Sequence, residues 1–261
     1  MILQEIAENT RRRLVSIKQE KSLAEVRREA ESLPADTGFP LEEALKKPGI
    51  SFICEVKKAS PSKGVIVQDF PYLQIAEEYE TAGADAVSVL TEPDYFQGSP
   101  AYLKEISGAV AIPTLRKDFV VDAYQIFEAK VLGASAVLLI SELLEKEQLR
   151  EYLQICRSLG LSALTEAHSR EQVEKALEAG AVILGVNNRN LETFQVDMQT
   201  SVRLRHLVPG EVLFVSESGI RTRADILPLE EAGVDGVLIG ETFMRSPDKK
   251  EMLDRLRGTH L

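Results

Sequence analysis

One phrase, repeated four times, constrains the fold more than any other feature of the chain. It reads AGADAVSVL (82–90), LGASAVLLI (132–140), AGAVILGV (179–186) and AGVDGVLIG (232–240). Its glycines, Gly83, Gly133, Gly180 and Gly233, are spaced 50, 47 and 53 residues apart. Each phrase reads as a helix end, a glycine in the left-handed conformation, and a buried strand starting within a few residues. The runs are continuously apolar rather than alternating, which marks parallel strands covered on both faces. A period near 50 holds two βα units, so four periods make eight strands. The expected fold is α/β, a single (β/α)8 TIM barrel. The length of 261 residues fits, because such barrels run to roughly 250 residues as one unit.

The other four strands are expected between these, as SFICEVK (51–57), IPTLRKD (112–118), SALTEA (162–167) and VLFVSES (212–218). Capping residues mark the helix starts. Ser99 followed by Pro100 sets an N-cap with proline in the first turn. Ser169 with Gln172 spells a capping box, and Asp122, Asp197 and Thr222 are further N-cap candidates. Residues 1–45 are charged and helical in period, so they predict an extra N-terminal helix beside a barrel spanning 46–261. The basic triplet Arg11–Arg13 within them reads as a solvated helix face.

Hydrophobic residues make up 44% of the chain and charged ones 28%, a balance that supports a full core and argues against disorder. The net charge of −10 argues against a nucleic-acid partner, because a phosphate backbone needs a basic face. It still permits a small anionic substrate, since a few cations and backbone N–H groups can hold one phosphate. Cys54 and Cys156 are too few and too distant for a disulfide scaffold or a metal motif, and read as small buried hydrophobes. The first residues lack a signal-peptide apolar stretch, and no run approaches the ~20 residues of a membrane span. The expectation is a cytoplasmic protein without a membrane partner.

A barrel of this kind builds its active site at the C-terminal ends of its strands. Glu55 and Lys57, Lys117, Glu166, Asn187 and Arg189, and Glu217 and Ser218 fall at such ends. A lone strand-end Glu is as readily a solvent-facing loop residue. Three carboxylates and two lysines interrupting apolar strands on one rim point instead to chemistry, because unpaired buried charge is costly. The loops after the seventh and eighth strands, Ser218-Gly219-Ile220 and Gly240-Glu241, commonly cradle phosphate. Ser60, in SPSKG after the first strand, adds a hydroxyl to the same rim. Phe96, Phe119, Leu138 and Phe194 lie at or past strand ends and could clasp an aromatic ring, although each alone is as readily core.

The strings EVKKASPSKG (55–64), SVLTEPDYFQGS (88–99), LRKDFVVDAYQI (115–126), GVNNRNLETFQVD (185–197), SESGI (216–220) and GVLIGETFMRSPD (236–248) together resemble indole-3-glycerol-phosphate synthases, over about residues 1–257. The resemblance implies a lyase of tryptophan biosynthesis. Its substrate would be the sugar phosphate 1-(2-carboxyphenylamino)-1-deoxyribulose 5-phosphate, closed and decarboxylated without metal or organic cofactor. It implies a catalytic set of Glu55, Lys57, Lys117, Glu166, Asn187 and Glu217. Lys117 would protonate the C2′ carbonyl oxygen, and Lys57 would pair with the substrate carboxylate near the phosphate. Glu55 and Glu166 are rival acid–base groups for dehydration, and Glu166 could also orient Lys117. Asn187 and Glu217 would bind the ribulose hydroxyls.

Substrate contacts would come from Ser60, Phe96, Phe119, Leu138, Arg189, Phe194 and Ser218, and phosphate contacts from Ser60, Ser218, Gly219, Gly240 and Glu241. Ala59 and Glu241 stand where some members carry other residues. Two close lysines would depress one another's pKa. A monomer is expected, with a dimer as the alternative. Another phosphate-binding barrel, a sugar-phosphate isomerase or a Schiff-base aldolase, would share the last two loops. A binding protein without turnover would be expected to lack one of Lys57, Lys117 and Glu166, and all three are present.

Overall fold

The repeated glycines act as their spacing predicts. Gly83, Gly133, Gly180 and Gly233 have φ of 96°, 87°, 100° and 73°, and each releases a helix into a strand. In the computed structural model, which describes residues 2–190 and 193–259, eight strands follow. They are β1 (Ser51–Val56), β2 (Ala86–Leu90), β3 (Thr114–Lys117), β4 (Ala136–Ile140), β5 (Ser162–Ala167), β6 (Ile183–Asn187), β7 (Leu213–Glu217) and β8 (Gly236–Ile239). Each pairs in parallel with its sequence neighbours, and β1 pairs with β8, closing a (β/α)8 barrel.

Strand side chains alternate between two cores. Ile53, Leu115, Leu138, Leu164, Ile183, Val215 and Leu238 point inward and fill the barrel. Phe52, Cys54, Val87, Val137, Leu184, Phe214 and Val237 point outward, against helix residues such as Ile75, Tyr79, Leu149 and Ile226. Each fully buried aliphatic side chain contributes about 1.5–3 kcal/mol. Both cysteines are free and buried, and burial raises their thiol pKa values.

The N-terminal region departs from the single helix expected beside the barrel. It forms three helices, Ile2–Glu20, Leu23–Glu31 and Pro40–Leu45, with three placements. The first brings Ile2, Leu3 and Ile6 to the barrel mouth. The second packs on the helix Ala123–Val131, with the Arg27 guanidinium 5.7 Å from the Phe127 ring. The third sends Leu41 and Leu45 into the inner core, at the end where the strands begin. The basic triplet is divided too. Arg11 and Arg12 are exposed, but Arg13 reaches the buried Glu92 at 3.3 Å and also pairs with Asp94.

The caps follow the sequence with two corrections. Ser99, Asp122 and Thr222 cap as expected, Thr222 in a capping box with Asp225. Ser169 accepts from Gln172 N, but the Gln172 side chain accepts from His168 N instead of returning to Ser169. The helix Gln199–Arg205 begins after Met198, and Asp197 Oδ1 accepts from Gln199 N one residue upstream of the cap. Among the described residues, no helix is long and apolar enough to cross a membrane.

Candidate active site

Strand parity decides where the charges meet. Glu55 follows Ile53 on the inner face of β1, and Lys57 is the next residue of that parity. Lys57 Nζ donates to Glu55 Oε1. Lys117 ends β3 in the same phase as Leu115. Its Nζ lies 3.2 Å from Glu166 Oε2 of β5 and 3.6 Å from Glu217 Oε2 of β7. One ammonium group therefore ties together the ends of three strands.

Two glycines make room for this cluster. A methyl group at position 185 would overlap Glu217 Oε1, and one at 240 would overlap Glu55 Oε1 and stand 2.8 Å from Lys57 Nζ. Gly185 and Gly240 admit carboxylates where any side chain would exclude them.

The electrostatics differ from the expectation that the lysines weaken each other. Burial does oppose the Lys117 ammonium, but the charges of Glu166, Glu217 and Glu55 outweigh it and hold its pKa above the usual lysine range. Burial likewise opposes the Glu166 anion. The Lys117 cation and the hydrogen bond from His168 outweigh that, so its carboxyl lies well below the usual range. Burial and then the Glu166 charge push the Glu217 carboxyl up to about 8. Two carboxylates share one lysine, so one stays ionised and the other takes up a proton.

A cavity of about 620 Å³ opens above the cluster. It is lined by Glu55, Lys57, Lys117, Glu166, Asn187 and Glu217, and also by Ser60, Phe96, Phe119, Leu138, Arg189, Phe194, Ser218, Gly219, Gly240 and Glu241. Every site residue singled out in the sequence thus reaches one chamber. Phe96 and Phe119 lie side by side, with ring centroids 5.9 Å apart. Leu138 is not past a strand end; it sits in the middle of β4, in the inner core, and contributes to the cavity floor.

The loop after β6 is shaped by its own side chains. Asn187 Oδ1 accepts from Arg189 N at 3.0 Å, and Arg189 Nη1 donates to Phe194 O at 3.2 Å. Phe194 has a φ of 58° in this loop. The loops after β7 and β8 are joined by Thr242 Oγ1 donating to Ile220 O at 2.7 Å. Ser218 and Gly219 take φ of 68° and 94° there, and Val196 and Met198 leave no space for a side chain at 219. The Glu241 carboxylate is engaged by Arg245 at 3.1 Å and Lys63 at 3.7 Å. Two cations thus offset its negative charge.

Some residues were missed in the sequence. Ile2, Leu3 and Ile6 line the cavity, and nothing local distinguishes them from any amphipathic helix. His168 sits two residues beyond Glu166, with Nε2 3.1 Å from Glu166 Oε1. The strand-end rule that flagged Glu166 could have flagged it, since His168 directly follows the last residue of β5. Other rim polar residues serve the scaffold. Glu92 caps the short helix Pro93–Phe96 and receives Arg13. Asp118 holds the buried Arg116 at 3.0 Å and accepts from Thr91 Oγ1 at 2.6 Å. Among the described residues, no group of three or more His, Cys, Asp or Glu is arranged to hold a metal ion.

The chain matches the family model described as indole-3-glycerol phosphate synthase over residues 3–256. It is 54% identical, over 99% of its length and 100% of the relative's, to the indole-3-glycerol phosphate synthase of Ruminiclostridium cellulolyticum. It is 49% identical, over 99% of both chains, to that of Lachnoclostridium phytofermentans. Among solved structures, 3-hexulose-6-phosphate synthase from Salmonella typhimurium superposes with a TM-score of 0.66 at 11% identity, over 80% of this chain and 97% of that one. A thiamine phosphate pyrophosphorylase from Pyrococcus furiosus gives 0.61 at 16% identity, over 84% and 96%. At such identities these two likenesses concern the barrel alone. The chain belongs to the indole-3-glycerol phosphate synthase family, carboxy-lyases that close and decarboxylate an anilino sugar phosphate in tryptophan biosynthesis.

Proposed function

We propose that Lys117 is the general acid of ring closure. The aromatic carbon bearing the carboxylate attacks C2′ of the ribulose chain, and Lys117 Nζ delivers a proton to the C2′ oxygen. The bond to the carboxylate then breaks, CO2 leaves, and its electrons restore the ring. The C2′ hydroxyl next takes a second proton, supplied from solvent, and leaves as water, while C1′ gives up a proton, giving the indole. The observation that carries this reading is the position of the Lys117 ammonium, fixed by Glu166 at 3.2 Å and Glu217 at 3.6 Å on the cavity wall, with Phe119 two residues along the chain.

The other roles follow from the same geometry. Lys57, held by Glu55, receives the substrate carboxylate, and Glu55 then takes the C1′ proton. Glu166 is too well stabilised as an anion to be a good base; it orients Lys117. Asn187 and the protonated Glu217 bind the ribulose hydroxyls. Phe96, Phe119, Leu138 and Phe194 clasp the anthranilate ring, while Arg189 fixes the loop that carries Phe194. Ser60, Ser218, Gly219, Gly240 and the backbone of Glu241 form the phosphate cradle. The chain works as one unit, a barrel from 46 with residues 1–45 as its helical extension, and as a cytoplasmic monomer.

A Schiff-base aldolase needs a lysine with a lowered pKa as nucleophile. The carboxylates around Lys117 shift it the opposite way, so borohydride is expected to trap no adduct. Indole fluorescence growth tests the assignment. Lys117→Ala should lose about 100- to 10,000-fold in turnover, with substrate binding changed only a few-fold. Turnover that survives the substitution would overturn it.

A further inference from the structure

A chain of contacts runs outward from Lys117, and its last member, His168, has no part in the roles above. Lys117 Nζ meets Glu166 Oε2 at 3.2 Å, and Glu166 Oε1 meets His168 Nε2 at 3.1 Å. Each oxygen of one buried carboxylate is thus committed to a different nitrogen. Rotation of the carboxylate would break both contacts.

The histidine is itself held. Its backbone N–H donates to Gln172 Oε1 at 2.8 Å, and Gln172 Nε2 donates to Glu142 Oε2 at 3.2 Å. Its side chain is 14% exposed, against 3% for Glu166. It stands where the buried cluster meets solvent.

We infer that His168 is a positioning residue for this reaction: its imidazole anchors one oxygen of Glu166 so that the other stays aimed at Lys117, and its charge keeps Lys117 a competent acid. The inference rests on the reading that Lys117 donates the proton. The charged groups that face the imidazole are Glu166, Glu142 and Lys117. Burial lowers its pKa, but the Glu166 hydrogen bond and charge outweigh burial, Glu142 adds to them, and Lys117 subtracts. The net shift is upward, so the imidazolium persists at pH values where a free histidine is neutral.

The direction of the kinetic effect follows. While His168 is charged, the Glu166 anion is shared between two cations and grips the Lys117 proton less tightly. When His168 loses its proton, that grip tightens and Lys117 becomes a weaker acid. The turnover number should therefore fall as pH rises through the His168 titration.

Two substitutions separate hydrogen bonding from charge. His168→Gln keeps a donor near Glu166 but cannot titrate. At pH 7 its kcat should be about tenfold below wild type, the rate equivalent of about 1.4 kcal/mol. Its KM should stay within about twofold, and the alkaline fall of kcat assigned to His168 should vanish. His168→Ala should lose more; if it does not fold, His168→Gln decides. Wild-type kcat with an unchanged pH profile in His168→Gln would overturn the inference. So would a lowered kcat that keeps the wild-type alkaline limb, since a merely structural role produces that pattern. Lys117→Ala in the same assay tests the underlying reading separately: an active Lys117→Ala enzyme removes the acid that His168 is said to serve.

Discussion

Replacing Gly240 by alanine tests whether the site depends on a backbone without a side chain. The backbone at Gly240 has φ −109° and ψ −75°, so alanine meets no conformational bar there. The obstacle is steric. The new methyl carbon would lie 2.8 Å from Lys57 Nζ and 3.2 Å from the Glu55 carboxyl carbon, and would overlap Glu55 Oε1. Ordinary contact begins near 3.4 Å, so the ammonium must retreat by about 0.6 Å and the carboxylate by about 1 Å. A misplacement of about 1 Å among reacting groups costs on the order of 100-fold in rate. We expect kcat/KM to fall by about 10- to 100-fold. Stability should fall by only about 1 kcal/mol, because the methyl displaces side-chain tips rather than backbone. Indole fluorescence gives the rate, and urea unfolding gives the stability. A variant with wild-type kcat/KM would refute the argument that the Glu55–Lys57 pair must occupy its present position.

Two further outcomes are expected. Arg116 is 3% exposed and holds Asp118 at 3.0 Å and Glu128 at 2.7 Å; Arg116→Met strands two carboxylates, which should cost about 3–5 kcal/mol and lower Tm by on the order of 10 °C. Calorimetry showing a fall of under about 2 °C would mean that the buried pairs contribute little. Glu217 titrates near 8 when folded but near about 4.3 in an unfolded chain. Between these values the folded state holds a proton that the unfolded state lacks, so the group's contribution to stability is lost as pH rises through that window. Glu217→Gln has no such proton, and the Tm of wild type should decline relative to it from about pH 5 to about pH 8.5. Parallel Tm curves for the two proteins would contradict the raised pKa.

The residues of the site were largely legible because their signals are short-ranged. Each depends on a strand run, a following loop and the rule that barrel chemistry gathers at strand C-termini. Leu138 shows the limit of that rule: it lies in mid-strand, and it reaches the cavity because the inner core is also the cavity floor. Ile2, Leu3 and Ile6 show another, since they reach the mouth through the path of a helix that local periodicity cannot aim.

By itself, the sequence determined the repeat, the left-handed glycines, the eight strands and the residue types on one rim, because these follow from backbone sterics and from apolar periods spanning a few residues. Tertiary structure alone decided which charges touch. Closure of the barrel set the 3.2 Å and 3.6 Å contacts between Lys117 and two carboxylates that lie 49 and 100 positions further along the chain. It also reversed the expected direction of the lysine's pKa shift and enlisted His168 behind Glu166. The physical reason is that Coulomb energy depends on distance and burial, and neither quantity exists for these groups until the first strand meets the eighth.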